Sequence, residues 1–586
     1  MKKICILFSL LSAIIVVISS CKKNSFLDKK TEVLTEDKVF ADSALTVSFL
    51  TDIYAYSGQD IIPERLSYIN SSATSTNDDA DLETLTTHSV SYYSAPQASW
   101  VLGSYTAANN PFGNYWTTYY KKIRACSLLM QNLPGSPLSA AKKTRIAAEA
   151  RFLRAFYYAA LIRYYGSVQL MGDAVLGVTD ILVSKRNTYK ECVDYIANQL
   201  DIAAKDLPTA ATQQAIDYGR ATQGACLALK ARVLLTAASP LFNGSPIAAG
   251  NLNIAYSASY DASLWQKASD AFKAVIDLNQ YSLVVDNATR PGHGFWKMFV
   301  KGRVNSEYIF VYQIPVGHDL ESNQFPVSRG GSGAVNNPSQ NAVDCFGMKN
   351  GKLITDPTSG YDPANPYLNR DPRFYYSIIY NQAPIFKSGS GTTLVPVNIY
   401  LDAAAGGLGT DMIQGYNNKT GYYSRKMCND STGTSVNIDR AYPVIRYAEV
   451  ILGYAEAQNE LGNTETGVTY LNMLRNRAGI DAGTNGRYGI AAGISQSDLR
   501  KLIQNEYTAE LFQEGHFFYD SRRWKTAEIT ENQPIQAMYI TKQTNGTYTY
   551  LPIVSLPTGW ATRSYFAPVP QAEINKSATL LQNPGW

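Results

Sequence analysis

The stretch AAKKTRIAAEARFLRAFYYAALIRYYG, residues 140–166, has the period of an amphipathic helix. Small and apolar side chains recur at intervals of three and four residues, the spacing that aligns them along one helix face. These side chains belong to Ile146, Ala150, Leu153, Tyr157, Ala160, Leu161 and Tyr164. Gly166 follows directly and is expected to end the helix. The stretch therefore predicts a long helix that buries one stripe against a neighbour.

Helical blocks of the same kind lie on both sides of this stretch. They cover residues 115–134, 189–208, 221–240 and 265–278, and after a long gap residues 442–462 and 467–479. In block 442–462 the predicted stripe consists of Val444, Tyr447, Ala448, Ile451, Leu452 and Ala455. Paired helices with small residues at their crossings indicate a mainly α fold, a tetratricopeptide-like scaffold of helix pairs.

The gap between the blocks, residues 285–440, differs in composition. It is rich in Gly, Pro, Asn and Ser, as in SRGGSGAVNNPSQN (328–341), and contains short strand-like runs such as YIFVYQI (308–314). Because it keeps many aromatic and apolar residues, we expect an irregular, loop-rich lobe with short strands rather than a linker. The predicted helical parts are then residues 41–284 and residues 441–586, the latter including a carboxyl-terminal segment.

The first residues indicate export. Two lysines precede an apolar run of about 15 residues, the length of a signal-peptide core and too short to span a bilayer. The sequence ISSC, residues 18–21, then resembles a bacterial lipobox. We expect residues 1–20 to be a lipoprotein signal peptide, Cys21 to carry anchoring acyl chains, and residues 21–40 to form a tether and first docking segment. The alternative is an ordinary secretory signal with a chance cysteine.

Composition narrows the class of ligand. Charged residues make up 17% of the chain and the net charge is +4, of which the signal peptide supplies +2 through its two lysines. The mature surface is therefore nearly neutral and has no basic block that would indicate nucleic acid. The chain has 41 tyrosines and only 4 histidines. Since tyrosine offers both a flat apolar face and a hydroxyl, this surplus suits a protein that holds sugars.

Six segments occur in a recognisable order along the chain. They are FLDKKT (26–31), AEARFLRAFYYAALIRYYG (148–166), IRYAEVILGYAEA (445–457), LNMLRNRAG (471–479), NEYTAELFQEGHFFYDSRRW (505–524) and PVPQAEINKSATLLQNPGW (568–586). Together they resemble the SusD/RagB family of outer-membrane nutrient-binding lipoproteins of Bacteroidetes, over essentially the whole mature chain. Thr31, Tyr507, Phe517 and Lys576 depart from residues that are frequent in the family.

The resemblance implies four tetratricopeptide-like helix pairs with an irregular outer lobe. It implies a surface-exposed protein of the outer membrane, anchored in lipid through acylated Cys21, that acts as the lid of a SusC-like TonB-dependent barrel transporter. Its cargo would be a glycan or another nutrient, and it would do no covalent chemistry. Two alternatives stay open: a surface glycoside hydrolase, and a tetratricopeptide-type adaptor that binds peptides or proteins.

The carboxylates Glu506, Glu510 and Glu514 bear on the hydrolase alternative. The two acids of a glycosidase lie on opposite sides of the bond, about 5 to 10 Å apart. These three recur every four residues on one predicted helix and therefore share a face. Glu506 and Glu510 also continue an apolar stripe, so we expect them to be buried in structural ion pairs. The candidate cations are Arg475, Arg477, Arg522 and Arg523.

No catalytic residue, metal site or cofactor is predicted. The four histidines, His88, His293, His318 and His516, are isolated and lack zinc-type spacing. The chain contains no G-x-S-x-G elbow and no glycine-rich loop with a phosphate-binding lysine. The segment NDDAD (77–81) has alternating acids but lacks the turn glycine and final glutamate of an EF-hand. We expect a solvated acidic loop there, with calcium as the alternative.

Aromatic residues in loops are the candidates for ligand contact. The segment SYYSAPQASWVLGSYTAANNPFGNYW (91–116) combines rings with amides among turn-forming residues. The ligand-binding candidates are Tyr92, Tyr93, Trp100, Tyr105, Asn109 and Asn110, with Trp296 from HGFWKMF (293–299). The alternative is that these rings pack the lobe or contact the transporter, since large aromatic side chains are more often buried.

Overall fold

The computed structural model describes residues 35–58, 82–91, 99–177, 180, 184–244, 246–331, 336–387, 393–412, 418–429 and 432–586. The predicted signal peptide, Cys21 and the acidic segment 77–81 lie outside these residues, as do Tyr92 and Tyr93.

Helices dominate the described residues. The first group is α1 (Glu36–Phe40), α2 (Ser43–Tyr54), α3 (Gly113–Asn132), α4 (Ala140–Tyr165), α5 (Tyr189–Asp206), α6 (Gln223–Ala238) and α7 (Ser263–Asp277). The lobe holds α8 (His293–Val300), α9 (Asp319–Gln324), α10 (Gln340–Cys345) and α11 (Pro372–Ser377). The last group is α12 (Tyr447–Glu460), α13 (Thr464–Arg477), α14 (Gln496–Glu510), α15 (Phe517–Arg523), α16 (Ala527–Thr530) and α17 (Gln571–Ile574).

The long helices form a continuous stack. From α3 to α7 each helix packs against the next, α12 packs against α7, and α13 and α14 pack against α12. One large apolar core runs through these helices. The predicted helical-pair scaffold with short strands elsewhere is therefore confirmed. Although the lobe separates α7 from α12 in the sequence, the two helices are neighbours in the stack.

The stretch 140–166 forms α4 and ends as predicted. Ser139 caps the helix by accepting a hydrogen bond from the backbone N–H of Lys142. Gly166 has a φ of +73°, and a Cβ placed on it would lie 2.8 Å from the carbonyl oxygen of Asn253. Glycine is required here for both reasons, because other residues rarely adopt this conformation and have no room in it.

The short strands form small sheets. They are β1 (Ser89–Ser91), β2 (Tyr308–Gln313), β3 (Asn336–Pro338), β4 (Ile378–Ile379), β5 (Pro384–Phe386), β6 (Leu394–Pro396), β7 (Leu401–Asp402), β8 (Gly407–Leu408), β9 (Tyr423–Ser424), β10 (Ala441–Arg446), β11 (Ile535–Lys542) and β12 (Tyr548–Leu556). Four sheets have two strands each, paired as β1–β3, β2–β10, β4–β9 and β5–β6. The remaining sheet has four strands in the order β12-β11-β7-β8.

Two details differ from the sequence prediction. Val444 was expected on a helix stripe, but it lies in β10, and α12 begins only at Tyr447. A run of β-branched and aromatic residues around Pro443 favours a strand over a helix. The lobe is also completed by the hairpin β11–β12 from the last segment of the chain, because β11 pairs with β7 and buries Met538 among the lobe's apolar residues.

A cluster of buried charges joins the helices to the lobe; we call it the central ion cluster. Its cations are Arg373, Lys426, Arg446, Arg475 and Arg477, and its carboxylates are Asp371, Glu307, Glu506, Glu510 and Glu514. Nε of Arg475 lies 2.9 Å from Glu506, and Arg477 contacts Glu510, as the sequence predicts. Of the other two candidate partners, Arg523 instead binds Glu456 at 2.7 Å, and Arg522 donates to the carbonyls of Phe518 (2.7 Å) and Ser564 (3.0 Å).

Glu510 is the most connected carboxylate of the central ion cluster. It contacts Arg477, Arg446 (2.7 Å) and Arg373 (3.0 Å) and is fully buried. Burial alone would raise the pKa of Glu510, but these three guanidinium groups more than offset it and hold the pKa well below its usual range. Glu510 is therefore ionised at neutral pH.

Replacing Glu510 with alanine is expected to lower the free energy of unfolding by about 3 to 5 kcal/mol, because it leaves buried guanidinium groups without their anion. Urea titration followed by circular dichroism measures the change. The control is Glu465→Ala, which removes the exposed partner of Arg487 and should change the unfolding midpoint little. Equal midpoints for the two variants would contradict a structural role for Glu510.

Candidate functional site

Trp100 and Tyr105 lie in the apolar core. Trp100 is 3% exposed; its ring stacks on Tyr105 with centroids 4.2 Å apart and meets Phe112 edge-on at 4.7 Å. Tyr105 is 2% exposed, and its hydroxyl forms a hydrogen bond with Ser564. Burial raises the pKa of Tyr105. In this structure neither ring offers a face to a ligand. Both residues pack the interior, which is the alternative to ligand contact given by the sequence.

Trp296 is also enclosed. It is 4% exposed, and its indole N–H donates to the carbonyl of Cys428 at 3.1 Å. His293 stacks on its ring at 5.2 Å. Trp296 therefore packs α8 into the lobe and gives no open surface for stacking.

Asn109 and Asn110 shape the turn that leads into α3. The amide of Asn110 donates to the carbonyls of Thr106 (3.3 Å) and Ala107 (3.1 Å), and its Oδ1 accepts from the N–H of Phe112 at 2.9 Å. Asn109 is exposed at the tip of the same turn. Among the ligand-binding candidates that the structure describes, Asn109 is exposed, Asn110 is partly buried, and the three rings are buried.

Two tryptophans that the sequence analysis missed are half-buried beside this turn. All 7 tryptophans lie among the described residues, and Trp560 and Trp586 are those that stay partly exposed. The ring of Trp586 lies 5.1 Å from that of Tyr105. Gly559, next to Trp560, donates a backbone hydrogen bond to Val101 at 2.9 Å.

Arg563 contacts the rings of both Trp586 and Tyr105. Its guanidinium lies 5.0 Å from the ring centroid of Trp586 and 5.1 Å from that of Tyr105. One of its terminal nitrogens donates to the carbonyls of Gly103 and Tyr105, both at 3.4 Å, while its Nε is buried without a hydrogen-bond partner. A guanidinium held between two aromatic faces fixes both rings.

We call this surface the aromatic patch: Asn109, Trp560, Arg563 and Trp586, with the exposed residues Ser104 and Thr106 beside them. The indole N–H of Trp586 is already used, since it donates to the carbonyls of Arg563 and Phe566 at 3.2 Å. Flat rings bordered by hydroxyl, amide and guanidinium groups suit sugars, which stack through their C–H faces and need polar partners for their hydroxyls.

Both missed tryptophans share a local signal. Each follows a glycine, in PTGW (557–560) and NPGW (583–586), where a turn brings the chain to the surface. The candidates chosen from sequence lie instead in clusters of aromatics, and those among the described residues, Trp100, Tyr105 and Trp296, are buried.

The carboxylates Glu506, Glu510 and Glu514 are all buried and paired with cations. They are therefore closed off from a sugar. Within the described ranges, no group of three or more His, Cys, Asp or Glu side chains could hold a metal ion. No helix of the described residues combines the length and apolar character that a membrane crossing requires.

Two family models match the chain. One, described as "SusD family", matches residues 304–586, and the other, described as "Starch-binding associating with outer membrane", matches residues 25–235. A SusD-like protein of Formosa agariphila is 24% identical over 486 residues, 82% of this chain and 81% of the relative.

Solved structures share the fold. A SusD-like protein from Bacteroides fragilis superposes with a TM-score of 0.74 at 25% identity, over 94% of this chain and 99% of that one. A SusD-like carbohydrate-binding protein of the same organism gives 0.70 at 23% identity, over 93% and 100%.

A helix-pair scaffold with a loop-rich lobe is thus the architecture of SusD-like proteins. The chain belongs to the SusD/RagB family, a family of carbohydrate-binding proteins that associate with the outer membrane.

Replacing Trp100 with alanine is expected to lower the free energy of unfolding by about 3 to 5 kcal/mol, because it opens a cavity in the core. Trp560→Ala, which trims a half-exposed ring, should cost less. Chemical denaturation of both variants measures the difference. If Trp100→Ala kept full stability and lost only ligand affinity, its assignment to the core would fail.

Proposed function

We propose that this protein is a lipid-anchored receptor at the cell surface that binds a glycan and delivers it, uncleaved, to a SusC-like TonB-dependent barrel transporter. The aromatic patch carries the proposal. It presents two half-exposed indole rings, each in contact with a buried tyrosine ring at 5.1 Å (Trp586 with Tyr105, Trp560 with Tyr565), and polar groups beside them.

Relatives support the ligand class. The matched family is described as starch-binding, and one structural neighbour from Bacteroides fragilis is described as a carbohydrate-binding protein. The patch agrees with this ligand class, because indole rings can stack on the C–H faces of sugars and such binding needs no cofactor.

The buried carboxylates support a role without catalysis. A glycosidase needs two acids within reach of the sugar, and raised or matched pKa values let them exchange protons. Here the neighbouring cations hold the pKa values of Glu510 and Glu514 below the ordinary range, although burial opposes this. Such groups are poor proton donors at neutral pH.

The amino-terminal sequence supports the anchor. ISSC at residues 18–21 places Cys21 directly after the signal-peptide core. Each buried methylene of an acyl chain contributes about 0.8 kcal/mol, and two or more chains give stable anchoring.

Polysaccharide affinity electrophoresis tests the ligand class. The chain with Cys21→Ser, which carries no acyl group, is run against a panel of neutral polysaccharides. Trp560→Ala and Trp586→Ala should each weaken binding to the retained polysaccharide about fivefold, the scale of one stacking contact. Tyr260→Ala, which removes another exposed ring outside the patch, is the matched control and should bind as before.

The same mixtures separate the alternatives. Release of reducing ends from a polysaccharide would favour a glycoside hydrolase. Retention of peptides but of no polysaccharide would favour the adaptor. Unchanged binding by both tryptophan variants would remove the patch from the site.

Purification from outer membranes tests the partnership and the anchor. The wild-type protein should carry acyl chains on Cys21, detected in the mass of its amino-terminal peptide, and should bring a large barrel protein with it. The Cys21→Ser variant should be released into the periplasm and lose that partner. An unacylated wild type found without a barrel would contradict both parts of the proposal.

A further inference from the structure

A second surface feature, apart from the aromatic patch, is an apolar groove along α3. It encloses about 320 Å³. Trp116, Tyr120 and Ile123 of α3 form one side, and Met171, Leu176 and Leu580 form the others. We call this the α3 groove.

The walls of the α3 groove are fixed by hydrogen bonds. The hydroxyl of Tyr120 donates to the carbonyl of Gln169 at 2.8 Å, and Arg124 donates to the carbonyl of Leu176 at 3.3 Å. On the opposite side, Thr579 donates to the carbonyl of Ser184 at 2.7 Å. The groove is therefore formed before anything binds in it.

The first described residues, near Glu36, contact the face of α3 that also lines the groove. The amide of Asn132, the last residue of α3, donates to Glu36 at 2.8 Å. Lys121, on the rim of the groove, lies eleven residues earlier, which is about three turns plus 20° on a helix. The two side chains therefore share one face, about 17 Å apart along the axis.

The segment that precedes Thr35 has the length and composition to reach the groove. Residues 22–34 read KKNSFLDKKTEVL and contain the adjacent apolar pair Phe26 and Leu27. Nine extended residues span about 30 Å, whereas the far end of the groove at Trp116 lies about 24 Å from Asn132 along α3. Phe26 is nine residues before Thr35.

We propose that Phe26 and Leu27 dock in the α3 groove. Asp28, directly after the apolar pair, matches the charge of Lys121 and Arg124 of the groove, while the four lysines of the segment have Glu573 as the acidic lining residue. A tethered segment also has an effective concentration in the millimolar range, so it fills the groove ahead of a dilute lipid or glycan.

Docking has a consequence for orientation. Cys21 is five residues before Phe26, so the anchor would leave the body beside α3 at a fixed place. This orientation rests on the acylation in the proposed function, whereas docking of Phe26 and Leu27 needs no acyl group.

Limited trypsin digestion of the chain from residue 21 with Cys21→Ser tests the docking. Lys29 and Lys30 follow the apolar pair after Asp28, and intact-mass measurements detect cleavage there. When opening is fast, cleavage tracks the population of the undocked form. Leu176→Asp, which leaves the tether sequence unchanged, should speed this cleavage about tenfold.

Ile216→Asp is the matched control, since it places the same charge at a residue that is 93% exposed outside the groove. It should be cleaved like the starting protein. Phe26→Asp with Leu27→Asp should raise hydrogen exchange in residues 169–176 relative to the starting protein. Equal cleavage rates for Leu176→Asp and Ile216→Asp, or unchanged exchange in residues 169–176, would overturn the proposal. Since no polysaccharide is present, neither result depends on glycan binding.

Discussion

The central ion cluster is the constraint on which the arrangement of this protein depends. Arg446 ends strand β10, Arg477 ends α13, Glu510 ends α14, Glu307 precedes β2, and Lys426 comes from the lobe. Each charge would be costly to bury alone, and its partners come from other elements. The helices and the lobe therefore have to assemble together, because a displaced element would leave an ion without its partner in the interior.

At the aromatic patch, too, the position of one side chain depends on partners from other parts of the chain. Trp100 and Tyr105 are core residues, yet they support the outer ring of Trp586, because Tyr105 stacks on Trp100 and contacts Trp586 at a tilt of 46°. Arg563 fixes the same ring from the side. A ring that is already held loses little conformational freedom when a ligand binds, which favours affinity. Of the candidates drawn from sequence, Trp100 and Tyr105 thus lie beneath the aromatic patch, and Trp560 and Trp586 form its surface.

How much the sequence could predict depends on how local each property is. The helix over 140–166 and its end at Gly166 follow from period and glycine chemistry, and the burial of Glu506 and Glu510 in ion pairs follows from carboxylates on an apolar stripe. Which of the four candidate arginines pairs with each carboxylate depends on the fold. Exposure of a single aromatic ring is not local, because it depends on what the fold places over it. The strand at Val444 was missed for the same reason: its pairing partner, β2, lies more than a hundred residues away.

The carboxyl-terminal segment links the two surfaces. It supplies Trp560, Arg563 and Trp586 to the aromatic patch and Glu573 and Leu580 to the α3 groove. The amide of Asn583 donates to the carbonyls of Tyr165 (3.0 Å) and Ala567 (2.7 Å), and Arg186 donates to Asn583 at 2.8 Å. These bonds hold the segment to the end of α4, beside Gly166, where only glycine fits. The helix end that the first stretch of sequence specifies therefore fixes the distance between the groove and the patch. With Phe26 and Leu27 docked in that groove, the distance from the anchored end of the chain to the aromatic patch would therefore be set by the fold.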